Sequence, residues 1–182
     1  MVSRAIRKKQ KEARRWSERR YEKHLRHNKL YAKPGIHEFV IVLDNLKPTF
    51  NIGKIFRSAE AFGAREIRLI GTEFFDAKSA KGSFKWVPAI FHKSFEEAYQ
   101  ELRSEDYAMY VFEPDAKLSL HRAELPSRSV FIFGHEEFGI SFDRSEYPEI
   151  RPVAIDQVGG VESLNVSVAA SVAMYDYFIR HQ

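Results

Sequence analysis

Three polar side chains near the start of a predicted helix are the first candidates for chemistry. Residues 45–63 follow an apolar strand, and Asn51 in this segment is expected to cap the helix that follows. Lys54 and Arg57 lie three residues apart on one helix face, where they could hold a phosphate or a ribose. Gly53 costs a helix roughly 1 kcal/mol relative to Ala, which favours a position where something approaches the backbone closely. The alternative is an ordinary capped amphipathic helix with surface cations.

A second candidate is the loop that follows an apolar strand at residues 130–133. It holds two glycines, Gly134 and Gly139, and two adjacent acids, Glu136 and Glu137. The spacing lacks the Lys-Ser of a P-loop and the G-x-G-x-x-G of a dinucleotide site. Adjacent carboxylates repel a triphosphate but suit hydroxyls, amines or a cationic ligand such as a sulfonium. The alternative is an ordinary turn at the end of a strand.

A third candidate lies where a Gly-Gly loop leads into a predicted helix over residues 162–180. Ser163 and Asn165 fall in its expected first turn, where unpaired backbone N–H groups are available to a ligand. For Ser163 alone the alternative role is an N-cap. The helix body is rich in small residues, which predict close packing in the core or at a subunit interface; they are Ser167, Ala169, Ala170, Ser171 and Ala173.

The elements that must position these residues follow an alternating pattern. Short apolar strands are predicted over residues 39–43, 66–70, 108–112, 130–133 and 153–155. Helices are predicted between and after them, over about 51–62, 94–104 and 162–180. Alternation of this kind predicts an α/β fold with a mostly parallel sheet and helices on both faces.

The amino-terminal segment has a different composition. Residues 1–33 hold 13 Lys and Arg against three acids, whereas the rest of the chain holds 16 against 22. This asymmetry favours a polyanionic partner, either nucleic acid or an anionic membrane surface. No Pro or Gly precedes Pro34, so we expect a basic helical extension over 1–35 and a separate domain over 36–182.

Two interpretations of the basic extension remain open. It is either a solvated or disordered tail, or an arm that binds RNA. In the second interpretation arginines bind phosphates and aromatic rings stack on bases. The candidate arginines are Arg14, Arg15 and Arg19, and the candidate rings are Trp16, Tyr21 and Tyr31.

Composition excludes several classes of protein. The chain has no cysteine, so it has neither disulfides nor a thiolate metal site. His24 and His27 have no further ligand nearby, and we predict no metal. No apolar run approaches the roughly 20 residues of a membrane span, and the basic start lacks the apolar stretch of a secretory signal. We therefore expect a cytoplasmic protein that is not bound to a membrane.

In this order, the three segments resemble the three motifs of the TrmH-type (SpoU) RNA ribose methyltransferases of the SPOUT superfamily. The resemblance covers about residues 38–180, with N-I-G-K-I-F-R-S-A-E-A-F-G and S-L-N-V-S-V-A-A almost unaltered. It implies S-adenosylmethionine as cofactor, a homodimer, and an α/β fold with a C-terminal trefoil knot. General topology rules alone would argue against a knot.

The resemblance also implies roles for individual residues. Asn51 and Arg57 would lie at the ribose and phosphate of the target nucleotide. The remaining positions would form the cofactor and catalytic surroundings, namely Gly134, His135, Glu136, Ile155, Ser163, Leu164 and Asn165. Two positions depart from the usual motifs, because Asp156 replaces a proline and His135 stands where Asn or Ser is common.

The predicted reaction is methyl transfer to a ribose 2′-hydroxyl, with transfer RNA as the first choice of substrate and ribosomal RNA as the second. A guanidinium has a pKa above ~12 and no free acceptor, so Arg57 is predicted to clamp a phosphate rather than act as a simple base. Two alternatives are a catalytically silent RNA-binding protein and a methyltransferase that acts on a base or a protein. The polar set Asn51, Arg57 and Asn165 argues against the first, and the ribose-type first motif argues against the second.

Overall fold

The computed structural model describes the backbone of residues 4–182 and the side chains from Glu18 onward. Four α-helices and six strands follow one another in this part of the chain. They are α1 (Arg4–Tyr31), β1 (Val40–Asp44), α2 (Phe50–Ala61), β2 (Glu66–Ile70), β3 (Ala89–His92), α3 (Phe95–Ser104), β4 (Ala108–Phe112), β5 (Ser129–Phe133), β6 (Arg151–Val153) and α4 (Val166–Arg180). Short 3₁₀ turns, among them Ala77–Ala80 and Ser83–Lys85, fill the longer connections.

The six strands form one sheet in the order β3-β2-β1-β5-β4-β6, and every strand pair is parallel. Both faces are covered, since Ile41 and Leu43 of β1 pack on one side and Val40 and Val42 on the other. The first side is covered by α1, α2 and α4, and the second by α3. The predicted α/β architecture with helices on both faces is therefore confirmed, and the carboxyl ends of all six strands meet at one edge.

Two predicted element boundaries are wrong in ways that affect the candidate site. The last helix begins at Val166 rather than at residue 162, so Ser163 lies in the preceding loop and Asn165 is the N-cap. Asn51 does not cap α2, because the helix begins at Phe50 after Thr49 and Asn51 already lies in the first turn. Its amide makes contacts to distant segments instead.

Two further strands differ from the sequence-based expectation. β3 was not predicted, because it has four residues at the sheet edge and follows Pro88. β6 covers Arg151–Val153, which is shifted toward the amino end from the predicted 153–155. Gly53 behaves as expected, since a Cβ there would lie 2.7 Å from the backbone nitrogen of Ala80. The 3₁₀ turn Ala77–Ala80 therefore makes the close approach to α2.

The carboxyl-terminal half of α1 packs against the sheet domain and is therefore not a solvated tail in this conformation. Tyr21 is only 6% exposed and packs against Phe74, Phe75 and Phe84. Asn28 is buried, and its Nδ2 donates to the carbonyl oxygens of Phe84 at 2.6 Å and Val87 at 2.7 Å. Tyr21 is thus unavailable for stacking on a base in this conformation.

Several expectations concern residues that the structure does not describe in full. The side chains of Arg14, Arg15 and Trp16 lie outside the described residues, whereas that of Arg19 is exposed. Within the described chain, no helix has the length and apolarity needed to cross a bilayer. The division into an extension over 1–35 and a domain over 36–182 stays a prediction.

Candidate active site

A cavity of about 540 Å³ opens at the carboxyl edge of the sheet. Its apolar wall comes from strand ends and the start of α4, including Phe112, Phe133 and Val153. Seven of the predicted site residues line it: Gly134, His135, Glu136, Ile155, Ser163, Leu164 and Asn165. Edges of this kind are where open parallel sheets bind their ligands.

The loop after β5 turns so sharply that its first residue has to be glycine. The N–H of His135 donates to the carbonyl of Gly139 at 2.7 Å, and the N–H of Gly139 donates back to the carbonyl of His135 at 2.9 Å. A Cβ on Gly134 would lie 2.5 Å from the backbone nitrogen of Ile140, which real contacts do not allow. Backbone groups therefore form much of this side of the cavity.

His135 stabilises the same turn with its side chain. Its Nδ1 accepts a hydrogen bond from the N–H of Glu137 at 3.0 Å, and its ring stacks on Phe138. Asn or Ser would supply a short oxygen acceptor to this kind of turn. The histidine at this position thus keeps the acceptor and adds an aromatic contact.

Glu136 connects this loop to the segment before α2. Its Oε1 accepts from Nδ2 of Asn51 at 2.9 Å, and its Oε2 accepts from the backbone N–H of Lys47 at 3.1 Å. Glu137 adds an ion pair with Nζ of Lys47 at 2.9 Å. Burial raises the pKa of Glu136, but the hydrogen bonds from Asn51 and the backbone outweigh it, so that pKa lies below its usual range. Glu136 is therefore a carboxylate at neutral pH.

Asn165 joins the third segment to this network. Its Nδ2 donates to Oδ1 of Asn51 at 3.3 Å. Its Oδ1 caps α4 by accepting from the N–H of Ser167 at 3.0 Å and from the hydroxyl of Ser167 at 2.6 Å. The three candidate segments are thus connected at the rim of the cavity through Glu136, Asn51 and Asn165.

Asp44 supports the hydrogen-bond network at the rim from the end of β1. The sequence-based predictions did not include this residue. This buried carboxylate ends β1 and accepts from the N–H of Ser141 at 2.6 Å, from its hydroxyl at 2.8 Å and from Nδ2 of Asn45 at 2.9 Å. It fixes the end of the loop after β5 to the end of β1. The available signal was an acid that closes a fully apolar strand.

Lys54 and Arg57 lie apart from the cavity lining. Both are exposed on α2, and Arg57 forms no ion pair with any residue whose side chain the structure describes. Arg57 follows Asn51 by six positions in the sequence, and it therefore lies about 9 Å further along the helix axis. Arg57 is thus exposed on α2 outside the cavity lining, where a bound polyanion can reach it.

Asp156 points away from the cavity. Its carboxylate accepts from the hydroxyl of Ser119 and lies 2.8 Å from Nδ1 of His121. The hydrogen bond from Ser119 lowers the pKa of this exposed carboxyl. The acid at this unusual position therefore holds the β4–β5 connection, while its neighbours Ile155 and Gln157 line the cavity.

The model of the SpoU rRNA Methylase family matches residues 38–175, and the chain belongs to this family. A solved structure of the SpoU methyltransferase AviRb from Streptomyces viridochromogenes, in complex with AdoMet, superposes with a TM-score of 0.70 at 20% identity, covering 81% of this chain and 62% of that one. The structure of the A. aeolicus TrmH/SpoU tRNA modifying enzyme superposes with a TM-score of 0.71 at 20% identity. The match covers 90% of this chain and 83% of that one.

Curated relatives act on two kinds of RNA. The chain is 29% identical over 147 residues to the 23S rRNA (guanosine-2′-O-)-methyltransferase RlmB of Xylella fastidiosa, covering 78% of this chain and 59% of the relative. It is 28% identical over 145 residues to the tRNA (guanosine(18)-2′-O)-methyltransferase of Thermus thermophilus. That match covers 76% of this chain and 73% of the relative. The chain thus spans about three fifths of the length of the Xylella fastidiosa relative.

Proposed function

We propose that this protein is an S-adenosylmethionine-dependent RNA methyltransferase that modifies a ribose 2′-hydroxyl. The observation that carries the proposal is the hydrogen-bonded chain Glu136–Asn51–Asn165 at the rim of the cavity. Family membership and relatives that methylate ribose 2′-oxygens support it. Transfer RNA is the first choice of substrate, because the tRNA-modifying relative is matched over 73% of its length and the rRNA-modifying relative over 59%.

The cavity suits the cofactor in size and in chemistry. Its volume of about 540 Å³ lies in the range of small-molecule sites. Phe112, Phe133 and Val153 would offer apolar surface to an adenine, and the carboxylates of Glu113 and Glu136, which also line the cavity, would attract the positive charge of a sulfonium. Backbone groups of Gly134, His135, Ile155 and Leu164 would hold the ligand. When bound, S-adenosylmethionine supplies the electrophilic methyl group.

The protein's part in the reaction is mainly positioning. In-line transfer requires a 2′-oxygen aligned with the methyl group and an outlet for its proton. Asn51 and Asn165 each use one amide hydrogen within the network, which leaves the second one for the RNA. Arg57 would clamp the target phosphate and lower the pKa of the hydroxyl through its positive charge. Ser163 lies exposed on the loop above and would complete the pocket.

Glu136 acts in this scheme as a positioning residue rather than as the base. Its pKa is lowered, and a weakly basic carboxylate removes a proton from a hydroxyl inefficiently. Both of its oxygens already accept hydrogen bonds, one from Asn51 and one from Lys47. Its role is therefore to fix the orientation of the Asn51 amide.

The proposal also includes a homodimer. Four apolar side chains of α4 are between 37% and 53% exposed, and their spacing of four, three and four residues places them on one helix face; they are Val168, Val172, Tyr175 and Ile179. An exposed apolar stripe of this kind marks an interface. The trefoil knot and a cytoplasmic location remain predictions of the same proposal.

The test is transfer of labelled methyl groups from S-adenosylmethionine to total RNA and, separately, to total protein from a strain that lacks this methyltransferase candidate. We expect label in one RNA class, and the Asn51→Ala variant to lose most of it while still binding the cofactor. Label in protein, or none in any RNA although RNA binding persists, would contradict the proposal and favour the silent RNA-binding alternative.

A further inference from the structure

Two exposed aromatic rings and a lysine form a cluster near the end of α1, at the edge of the sheet opposite the cavity. Tyr31 is 48% exposed and Trp86 is 49% exposed, and their ring centroids lie 6.5 Å apart. Nζ of Lys85 lies 4.4 Å from the centroid of the Tyr31 ring and 4.3 Å from that of Trp86. We call these three residues the aromatic platform.

The platform rests on a rigid base. The backbone N–H of Lys33 donates to the carbonyl of Trp86 at 3.2 Å, and the buried amide of Asn28 holds the carbonyls of Phe84 and Val87. The end of α1 is therefore tied directly to the segment that carries Trp86. Rings presented on a fixed surface lose little conformational entropy when a flat ligand stacks on them.

A basic surface leads toward this platform along α1. Arg19, Lys23 and Arg26 are all exposed, and their spacing of four and three residues places them on one face of the helix. We call these three residues the basic ridge. It spans about 10 Å along the helix axis, since each residue adds 1.5 Å. It belongs to the segment of residues 1–33 that carries 13 of the 29 Lys and Arg of the chain.

The direction of α1 shows that the platform and the cavity lie at opposite ends of the strands. Tyr21 contacts Phe74 and Phe75, which follow β2 and so lie past its carboxyl end. Tyr31 contacts Trp86, which precedes β3 and so lies before its amino end. The described part of α1 therefore runs from the edge of the sheet that holds the cavity to the opposite edge.

We propose that the aromatic platform stacks on unpaired bases of the RNA substrate while the basic ridge binds the phosphates next to them. This inference rests on the proposed function and narrows its substrate class. A base can stack on Tyr31 or Trp86 only when it is not held inside a duplex, so the substrate carries single-stranded nucleotides away from the methylated ribose. The positive charge of the ridge favours RNA over an apolar protein surface as the occupant.

The sequence offers a direct reporter for this contact. The chain has two tryptophans, Trp16 and Trp86, so a Trp16→Phe protein carries a single indole in the platform. Its fluorescence is followed during titration with a single-stranded adenine oligonucleotide and, separately, with an RNA duplex of equal phosphate number. Fluorescence anisotropy of labelled RNA measures total binding in parallel. We expect saturable quenching by the single strand and much weaker quenching by the duplex at equal occupancy.

Matched variants distinguish stacking on an aromatic ring from nonspecific apolar contact. Trp86→Ala and Tyr31→Ala should each weaken single-strand binding about tenfold, which is the size expected when one base no longer stacks on an aromatic ring. Trp86→Phe should restore most of the affinity. Leu30→Ala is the control, because Leu30 is a neighbouring side chain that is 73% exposed and apolar but has no ring; it should bind like the parent protein.

Three results would overturn the proposal: single-strand binding by anisotropy without quenching of Trp86, a Trp86→Ala variant that binds like the parent, or a Leu30→Ala variant that is as weak as Trp86→Ala. The last result would show that general apolar contact, and not stacking on an aromatic ring, carries the affinity for the single strand. Failure of the proposed function appears separately. In that case no RNA accepts methyl groups from the parent protein, whereas the quenching depends only on the platform.

Discussion

The rim of the cavity and the outer face of α1 differ in how their polar side chains are held. At the rim, each polar side chain is fixed by others, as Asn51 is by Glu136 and Asn165. On the described part of α1, exposed cations and one exposed aromatic ring lie on a helix whose other side is packed through Tyr21 and Asn28. In the proposed function, the first arrangement would orient a reacting group, whereas the second would supply affinity through charge and stacking. Substitutions in the two regions should therefore change different observables.

The largest effect is expected at Arg57, which is exposed on α2 outside the cavity lining. Arg57→Ala and Arg57→Lys should each reduce turnover about 1,000-fold, because a lysine cannot reproduce a bidentate phosphate contact. Cofactor affinity, measured by calorimetry, should stay unchanged, since Arg57 does not line the cavity. An Arg57→Lys variant with nearly wild-type single-turnover rates would show that a simple positive charge is sufficient.

The next effect concerns the support of the rim. Asp44→Asn keeps one side-chain oxygen but places an amide donor opposite either the N–H or the hydroxyl of Ser141, and it should lower the free energy of unfolding by about 3 kcal/mol. Urea unfolding followed by circular dichroism measures this change. Exposed Asp143→Asn, in the loop that follows, is the matched control and should cost less than about 1 kcal/mol. Equal destabilisation of the two variants would mean that Asp44 gives the rim no special support.

Asn51→Ala tests the network itself. It removes the hydrogen bonds to Glu136 and Asn165 and should lower kcat about 30-fold, in keeping with the removal of a hydrogen bond to a charged group. KM for RNA should change much less. Glu60→Ala, at an exposed position of the same helix, is the control. A change in KM alone would place Asn51 with the binding surface rather than with the rim.

The Glu136 carboxyl makes the stability of the rim network depend on pH. Its pKa is depressed in the folded protein, so the stabilising contact with Asn51 is fully present above the ordinary value of 4.5 and is lost as pH falls through the depressed folded value. Substituting Glu136→Gln should therefore leave the shape of the kcat profile between about pH 6 and pH 9 unchanged while lowering its height about tenfold. If the variant lost an inflection in that range, Glu136 would be the titrating base.

The smallest effect is expected on α1. Removing residues 1–17 keeps Tyr21 and Asn28 in place, unlike deletion of the whole segment of residues 1–33. Single-strand binding should then weaken, and the slope of log affinity against log salt should fall by about 0.7 for each phosphate that the truncated protein no longer neutralises. Arg19→Ala alone should weaken binding about twofold. A slope that does not change on truncation would exclude this part of the chain from RNA binding.

The sequence was sufficient for the layered α/β fold, because apolar strands alternating with helices permit few other architectures. It was not sufficient for the start of α4 or for the role of Asn51. The role of Asn51 depends on hydrogen bonds to residues 85 and 114 positions away, which no local pattern encodes. The start of α4 was misplaced because several polar residues of the preceding loop can cap a helix, and the one that does so is Asn165, whose side chain accepts from the N–H of Ser167. β3 was missed because a short edge strand has little periodicity. Asp44 was missed because its partner Ser141 lies 97 residues away.

The chemistry of the product tests the central claim most directly. RNA labelled by this protein with a methyl group from S-adenosylmethionine is hydrolysed completely in alkali, which cleaves only where a free 2′-hydroxyl is present. Ribose methylation predicts that the label is recovered in alkali-stable dinucleotides and that the Asn51→Ala variant loses this fraction. Recovery of the label in mononucleotides would mean that a base is methylated and would contradict the assignment of the ribose 2′-oxygen as the methyl acceptor.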